Sequence, residues 1–322
     1  MRSSILISAL AAAALAPPGM AAAQDYPTRP IKALTTTSAG GISDIFMRAL
    51  GDELYKRWGQ PIVVENRPGG MQNLGSRACT EAAPDGHTIC ILNAEPLAYN
   101  QFLLKSMPFD PEKGLQPVTN LYHLIQALVV NASLKVKTVD ELIALSKAKA
   151  GTLNYVTASV PLGLYMETLK KEQGADWVRV PFKGGGEAVN AVLSGSTPIA
   201  LIGEGNVIGQ IRAGTMTALV MVNNIRSPNF PDVPTLEQTG YKGVPSRSWY
   251  GLFTPAGTPK PIVDKLAKEV ASIVNDPAFR ERHLTARSLV SAINTPEQFA
   301  EEIRKDRVTA QQVVKDAGLT PQ

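Results

Sequence analysis

The sequence has little of several residue types, and each shortage excludes a class of protein. Two cysteines in 322 residues exclude a disulfide-rich scaffold. Basic residues barely outnumber acidic ones, giving a formal charge of +4, so a dedicated nucleic-acid binder is excluded. Hydrophobic residues make up 44% of the chain, which with so small a net charge excludes an intrinsically disordered protein. A globular protein remains, and its length suggests two domains.

The N-terminus carries the longest apolar run of the chain. Arg2 is followed by apolar residues over 5–16, then by a Pro-Pro-Gly turn and the small residues 21–23. This order is typical of a secretory signal peptide. The alternative is a membrane anchor, but the run is about a dozen residues long, whereas a span needs about 20. We therefore predict a signal peptide over 1–23, cleavage after Ala23 and export.

Export affects how the two cysteines are interpreted. Cys79 lies on a helix predicted over 73–83, and Cys90 lies in a strand predicted over 88–92, with a turn between them. An oxidising compartment permits a disulfide between them. Two buried thiols that act as small hydrophobic side chains are the alternative. The sequence leaves both states open.

Short β-rich runs alternate with amphipathic stretches after residue 24. The pattern predicts strands over 31–35, 61–65, 88–92, 125–130, 153–157, 177–180, 198–202, 217–222 and 249–254. Capping boxes at Thr138 and Thr295 predict helix starts, as does Pro259. Strand and helix in series indicate doubly wound α/β layers. Because no Gly-, Ser- or Pro-rich linker divides the chain, we expect two interleaved lobes around a cleft, joined by hinge strands.

Three of the predicted strands lead into glycine-bearing loops that are followed directly by helices. These loops cover residues 38–44, 67–73 and 183–186. In open α/β sheets, ligands bind beyond the carboxyl ends of the strands, and the N-terminus of a helix favours an anion. Two such loops facing one cleft predict a carboxylate site, although the same glycines also suit tight strand-to-helix turns. Asp44 and Asn73 in these loops are also candidate helix caps.

Signatures of enzymes and cofactors are missing from the sequence. Residues 203–209 resemble a dinucleotide-binding glycine motif with one residue too many, and the next strand ends without an acidic residue for a ribose. No P-loop lysine and no Gly-x-Ser-x-Gly nucleophile motif occurs. His87, His123 and His283 lie far apart, without metal-ligand spacing. We predict a binding protein with no catalytic residue, no cofactor and no metal.

An ordered set of motifs resembles one family of binding proteins. The motifs are Tyr-Pro-Thr-Arg-Pro-Ile at 26–31, Gly-Gly-x-x-Asp at 40–44, Val-Glu-Asn-Arg-Pro-Gly at 64–69, Pro-Asp-Gly-His-Thr at 84–88, Val-Pro-Phe-Lys-Gly-Gly-Gly at 180–186, Pro-Asp-Val-Pro-Thr-Leu-Glu-x-x-Gly at 231–240 and Trp-Tyr-Gly-Leu-Phe-Thr-Pro-Ala-Gly-Thr-Pro at 249–259. The series resembles the Bug or TctC family, the extracytoplasmic solute receptors of tripartite tricarboxylate transporters. The resemblance extends over residues 26–319.

The resemblance implies a two-lobed periplasmic binding protein of the second structural type. One lobe would comprise residues 24–123 and 225–322, and the other residues 124–224. Such a receptor closes on a small carboxylate (a di- or tricarboxylate, an acidic amino acid or an aromatic acid) and delivers it to the permease subunits of the transporter. We expect a monomer that binds no nucleic acid. The alternatives are a receptor that signals to a membrane sensor kinase and an exported enzyme.

The resemblance also implies which residues bind the ligand. They are Ser38, Ala39, Gly40, Gly41, Ser43, Asp44, Met71, Gln72 and Asn73 in the first lobe, and Thr157, Ala158, Ser159, Gly203 and Glu204 in the second. The sequence departs from the family pattern at several of these loops. Ala39 replaces a usual proline, and Met71 and Gln72 replace smaller residues. Gly163 stands where a histidine is common. The identity of the carboxylate is therefore not implied.

Overall fold

A computed structural model describes residues 26–157, 159–180, 185–223, 225–241 and 248–321. The predicted signal peptide, Ala158, Phe182 and the start of the third glycine loop lie outside these residues. The described strands are β1 (Ile31–Thr35), β2 (Ile62–Asn66), β3 (Thr88–Asn93), β4 (Leu115–Leu124), β5 (Gln126–Asn131), β6 (Asn154–Val156), β7 (Val178–Val180), β8 (Ile199–Gly203), β9 (Met216–Met221), β10 (Trp249–Pro255) and β11 (Leu289–Ser291).

The strands form two sheets. The first sheet has six strands in the order β11-β4-β10-β3-β1-β2, and the second has five in the order β7-β6-β8-β5-β9. β1 runs parallel to β2 and β3, and β6 runs parallel to β7 and β8. The remaining pairs are antiparallel, so both sheets are mixed. Each parallel trio brings its carboxyl ends to one edge of its sheet.

Helices and turns cover both faces of the two sheets. The α-helices are α1 (Ile42–Trp58), α2 (Asn73–Thr80), α3 (Asn100–Leu103), α4 (Val139–Ala148), α5 (Val160–Gln173), α6 (Gly185–Ser194), α7 (Ile208–Arg212), α8 (Lys260–Val274), α9 (Pro277–His283) and α10 (Pro296–Asp316). A π-helical turn spans Glu95–Tyr99, and 3-10 turns span Ala132–Leu134, Glu204–Asn206, Glu237–Thr239 and Thr285–Arg287. Among the described helices, none combines the length and the apolarity needed to span a membrane.

The chain passes between the sheets at Ile125, which separates β4 from β5. Polar contacts hold this crossing. Asn223 accepts the Gln126 N–H at 3.1 Å and donates to the Leu124 carbonyl at 2.5 Å. The Ser248 hydroxyl hydrogen-bonds to the Gln126 side chain at 2.7 Å. The segments that follow β9 and precede β10 are therefore bonded to the crossing between β4 and β5, as expected of hinge strands. The lobe boundaries stay a prediction.

A hydrophobic core packs on each face of each sheet. One core of the first sheet includes Phe46 and Leu266, from α1 and α8. The core on its other face contains Cys79 and Cys90, which are both fully buried and joined by a disulfide with their Cα atoms 6.3 Å apart. The bond ties α2 to β3, directly behind the loops that enter the cleft. The interpretation as two free thiols is wrong.

The structure adds two strands that the sequence pattern did not predict. β4 contains Pro117 and several polar residues, which obscure its strand character. Pro117 is tolerated because β11 pairs only with residues 122–124 of β4, which leaves the other side of the strand open at Pro117. β11 is only three residues long, too short for a periodic pattern to show.

The two predicted capping boxes differ. The box at Thr295 is complete, since Thr295 and Gln298 each accept the other's backbone N–H. At the second site, Thr138 accepts the Glu141 N–H, but the Glu141 carboxylate accepts from Lys137 instead of Thr138. The return hydrogen bond of the Glu141 side chain is therefore made with Lys137, one residue before Thr138. Pro259 is the N-cap of α8, so the predicted helix start there is confirmed.

Candidate ligand-binding cleft

Four chain segments meet at the carboxyl ends of the parallel strands. Loop 1 (residues 36–41) follows β1 and loop 2 (residues 67–72) follows β2, while Glu95 follows β3. Loop 3, which the structure describes at Thr157 and Ser159, follows β6 of the second sheet. Hydrogen bonds connect all four segments, so the structure brings the parallel edges of the two sheets to one cleft. This is the position at which open α/β sheets bind ligands.

Loop 1 is held in place by the carboxylate of Asp44. Gly40 donates its N–H to this carboxylate at 2.9 Å, and the Asn66 amide donates at 3.0 Å. Arg48 donates at 3.1 and 3.2 Å. Burial pushes the pKa of Asp44 up, but the Arg48, Gly40 and Asn66 hydrogen bonds outweigh it and hold the pKa below its usual range. Asp44 therefore stays charged and stabilises the loop.

This arrangement changes the roles predicted for two residues. The N-caps of α1 and α2 are Gly41 and Gln72, so Asp44 and Asn73 are not N-caps. Asn73 is buried, and its side-chain oxygen accepts a hydrogen bond from Asn100 at 2.9 Å. The first N–H groups of α1 have no intrahelical acceptor. They remain the donors that loop 1 can offer an anion.

Loop 2 adopts an unusual backbone. Gly69, Gly70, Met71 and Gln72 have φ values of +114°, +56°, +53° and +68°. Positive φ is costly for residues with a side chain, and such strain persists only where the surroundings enforce it. Asn100 donates to the Met71 carbonyl at 2.8 Å, and Thr36 donates to the Gln72 side chain at 2.8 Å. The strained loop thus presents Gln72 to the cleft.

Glu95 connects the two sides of the cleft. One carboxylate oxygen accepts from Gln72 Nε2 of loop 2 at 3.1 Å. The other accepts the backbone N–H of Val160 at 3.2 Å. Val160 begins α5, the helix that follows β6 of the second sheet. Ser159 of loop 3 also hydrogen-bonds to Glu95 through its side chain. A single acidic side chain therefore contacts loops of both sheets.

The protonation of Glu95 depends on opposing influences. Burial raises the pKa of Glu95, and the hydrogen bonds from Val160, Ser159 and Gln72 oppose the rise without cancelling it. The positive charge of Arg179 acts in the same direction as these hydrogen bonds. The net direction is a pKa above the usual value. A group with such a perturbed pKa in a cleft is a candidate functional group.

Arg179 adds the positive charge on the second sheet's side. It lies in β7 and donates to the Thr157 carbonyl of loop 3 at 3.4 Å. Its guanidinium packs over Gly163 of α5, where a Cβ would lie 3.0 Å from Nη1. Glycine at 163 therefore makes room for the arginine. A histidine there, as in the related pattern, would occupy this space.

Glu204 follows β8, which runs parallel to β6, and it also lies at the crossing between the sheets. Its buried carboxylate accepts from Ser227 at 2.7 Å and from Ser288 at 2.8 Å, and its N–H donates to the Ile125 carbonyl at 2.9 Å. The second carboxylate oxygen contacts no hydrogen-bond donor among the residues that the structure describes. These contacts tie the 3-10 turn at 204–206 to the hinge and to the segment before β11.

The residues predicted to bind the ligand therefore fall into three groups. Those in contact with the Glu95 and Arg179 network are Gln72, Thr157 and Ser159. Those that build or flank loops 1 and 2 are Ser38, Ala39, Gly40, Gly41, Ser43, Asp44, Met71 and Asn73. Gly203 and Glu204 lie at the crossing, and Ala158 lies outside the described residues.

Sequence reasoning missed Thr36, Glu95 and Arg179. Thr36 comes immediately after β1, whose carboxyl end was expected to line the cleft, so its position was a usable signal. Glu95 follows β3, which leads into none of the three glycine loops, so its position gave no such signal. Arg179 lies within a strand and gave no such signal. Among the described residues, no three His, Cys, Asp or Glu side chains are grouped so as to hold a metal. The described part of the cleft thus offers hydrogen-bond donors, the half-buried acid Glu95 and the exposed Arg179.

Comparisons with known proteins agree with this architecture. The model of the tripartite tricarboxylate transporter family receptor, TctC, matches residues 46–319. BugT of Bordetella pertussis is 31% identical, with 92% of each chain covered. A periplasmic transporter of known structure is 32% identical, with a TM-score of 0.83, 92% of this chain and 99% of that chain covered. MatC from Rhodopseudomonas palustris, solved with bound malate, is 28% identical, with a TM-score of 0.79 and coverage of 90% and 100%. The chain therefore belongs to the TctC family, whose members are solute-binding receptors and not enzymes.

Proposed function

We propose that this chain is a periplasmic receptor that closes on a small carboxylate and delivers it to the membrane permease of a tripartite tricarboxylate transporter. The observation that carries the proposal is the meeting of loops 1, 2 and 3 at the carboxyl ends of parallel strands of both sheets. The family membership and the malate bound by MatC support a carboxylate as the ligand. The hinge contacts of Asn223 and Ser248 fit a receptor whose two sides close on the ligand.

The carboxylate would be held by backbone N–H groups rather than by a cluster of cations. The start of α1 offers unpaired N–H groups, and a helix N-terminus attracts an anion. Loop 1 is already rigid before binding, because Asp44 uses the Gly40 N–H and the Asn66 amide to fix it. A preorganised loop reduces the entropy lost on binding. This agrees with a net charge of only +4 for a protein that binds anions.

A thermal-shift screen tests the proposal. The purified protein is heated with mono-, di-, tri- and aromatic carboxylates and with acidic amino acids, and a rise in Tm marks binding. Asn73→Leu and Gly41→Leu should abolish the shift, since a Cβ at 41 would lie 3.0 Å from the Ser38 carbonyl in loop 1. Asn275→Leu, on the exposed end of α8, is the control. Flat responses to every compound would contradict the proposal.

The transport role needs its own measurement. A liganded receptor that delivers solute should stimulate uptake of that solute by membranes containing the permease subunits. Gene neighbours that encode a permease would agree with transport, whereas neighbours that encode a sensor kinase would favour the signalling alternative. Binding without any stimulation of uptake would leave the receptor role intact and contradict the transport role.

A further inference from the structure

Glu95 places a carboxylate where a second acidic group of a ligand would otherwise be expected. Its two oxygens accept from Gln72 on one side of the cleft and from Val160 on the other, with Ser159 as an additional partner. These donors belong to the loops between which a ligand must lie. The second end of the ligand therefore meets a carboxylate as well as N–H groups.

A ligand that enters between loops 2 and 3 disturbs the hydrogen bonds of Glu95. A molecule that separates the Gln72 side chain from the start of α5 breaks at least one of the two cross-cleft hydrogen bonds. The carboxylate oxygen that loses its donor must then be satisfied again, because a half-buried charged oxygen without a partner is unfavourable. A second carboxylate on the ligand cannot do this when ionised, since it only accepts hydrogen bonds.

An ammonium group satisfies Glu95. It carries three N–H donors and a positive charge, so it replaces the lost hydrogen bond with a charge-assisted one. Arg179 lies on the same side, but it donates to the Thr157 carbonyl of loop 3 and its charge acts on Glu95. The geometry suits a small carboxylate with an amino group more than a simple dicarboxylate.

We infer that Glu95 is a specificity-determining residue that selects carboxylates bearing an ammonium group over dicarboxylates of the same length. This inference rests on the proposed function, because it assumes that the cleft binds a carboxylate. Arg179 and Tyr250 are the titratable groups whose electrostatic interaction reaches Glu95. As the pH falls and Glu95 takes up a proton, the residue becomes a donor and the discrimination against dicarboxylates weakens.

Calorimetric titration with matched probes tests the inference. The pairs are 4-aminobutanoate against succinate and 3-aminopropanoate against malonate, with L-aspartate as a probe that carries both kinds of group. The wild type should bind the better amino compound roughly tenfold or more tightly than its dicarboxylate partner. Glu95→Gln, which is neutral and nearly isosteric, should reduce that ratio by about tenfold. Lowering the pH should reduce the ratio in the wild type but not in the variant.

Glu167→Gln is the control for loss of a negative charge. Glu167 lies on α5, the helix that begins at Val160; it is exposed and accepts from the Tyr155 hydroxyl of β6 at 2.7 Å. It should keep the wild-type ratio. An unchanged ratio in Glu95→Gln, or a wild type that prefers the dicarboxylate, overturns the inference alone. No binding of any carboxylate overturns the proposed function and this inference with it.

Discussion

Val160 donates its backbone N–H to the Glu95 carboxylate at 3.2 Å, across 65 residues of sequence. The bond runs from the start of α5 to the end of β3 and so joins the two sheets at the cleft. Burial raises the pKa of Glu95, while Val160, Ser159, Gln72 and the charge of Arg179 oppose the rise. The same contact therefore joins the two sides of the cleft through a group whose pKa is raised.

The pH dependence of stability tests the state of Glu95. In the unfolded chain this group titrates near pH 4.5, and in the folded protein its pKa is higher. The folded state thus binds the proton more tightly, so stability from this group is present below about pH 4.5 and is lost as the pH rises through the folded pKa. We expect the Tm of Glu95→Gln, relative to wild type, to increase with pH above 4.5. A Tm difference between the variant and the wild type that stays constant from pH 4 to 8 would contradict this.

Removing the Asp44 carboxylate should destabilise loop 1. Asp44→Ala leaves the Gly40 N–H and the Asn66 amide without this acceptor, and we expect a loss of about 1–3 kcal/mol of unfolding free energy at pH 7. The pKa of Asp44 is lowered, so the stabilisation is lost as the pH falls through the folded pKa. Urea denaturation at pH 7 and pH 3 measures both effects.

Asp264→Ala is the matched control for Asp44→Ala. Asp264 is exposed and pairs with Lys260 one helical turn away. Such an exposed pair contributes little to stability because solvent screens it. Equal losses in the two variants would show that Asp44 does no more for the fold than a surface acid.

The disulfide should contribute measurably to stability. It closes a short loop, with Cys79 and Cys90 separated by 11 residues, and a loop of this size is worth about 3 kcal/mol in the chain-entropy model. Dithiothreitol should lower the Tm of the wild type and leave the Cys79→Ala, Cys90→Ala double variant unchanged. A wild-type Tm that is insensitive to complete reduction, checked by thiol titration, would contradict the prediction.

Substitution of Gly163 should separate stability from ligand binding. Gly163→Ala removes a glycine from inside α5, which favours the helix by about 0.5–1 kcal/mol, but the added Cβ displaces the exposed Arg179 guanidinium. We expect Tm to be kept or raised while carboxylate affinity falls. Gly209→Ala in α7 is the control, since nothing lies within 4 Å of its Cβ position. Equal effects of both variants on affinity would contradict a role for Arg179.

Glu204→Ala distinguishes a hinge role from a ligand-binding role. The substitution leaves the hydroxyls of Ser227 and Ser288 without this buried acceptor, so we expect a loss of about 1–3 kcal/mol in unfolding free energy. Ligand affinity measured on the folded fraction should change little. A lost affinity with unchanged stability would instead place Glu204 in contact with the ligand, as the family resemblance implied.

Strand prediction succeeded where burial and periodicity agreed and failed where they did not. β3 and β5 are short runs rich in apolar side chains, and their sequences alone indicated strands. β4 lies beside β10 and is also extended, but Pro117 and its polar residues hide this pattern. Its conformation is imposed by pairing with β10, a strand more than 100 residues further along the chain. Local propensity does not contain that information.

The candidate site was also predicted only in part, because local sequence does not contain the contacts between distant segments. The glycines of loops 1 and 2 marked the ends of strands, so residues such as Gly40 and Gln72 could be named in advance. Glu95 and Arg179 could not, because an acid after one strand and an arginine within another carry no local signature. Their importance comes from donors and charges on segments 23 and 65 residues away from Glu95.

The sequence by itself determined the alternation of strands and helices, the glycine loops at strand ends and the family, because these depend on local propensity and on ordered motifs. Only the tertiary structure decided that Cys79 and Cys90 are bonded, that Glu204 accepts from Ser227 and Ser288 and that Glu95 joins the two sheets. These outcomes depend on which side chains become neighbours when the two sheets pack. A hydrogen bond or a pKa shift exists only once its distant partner is in place.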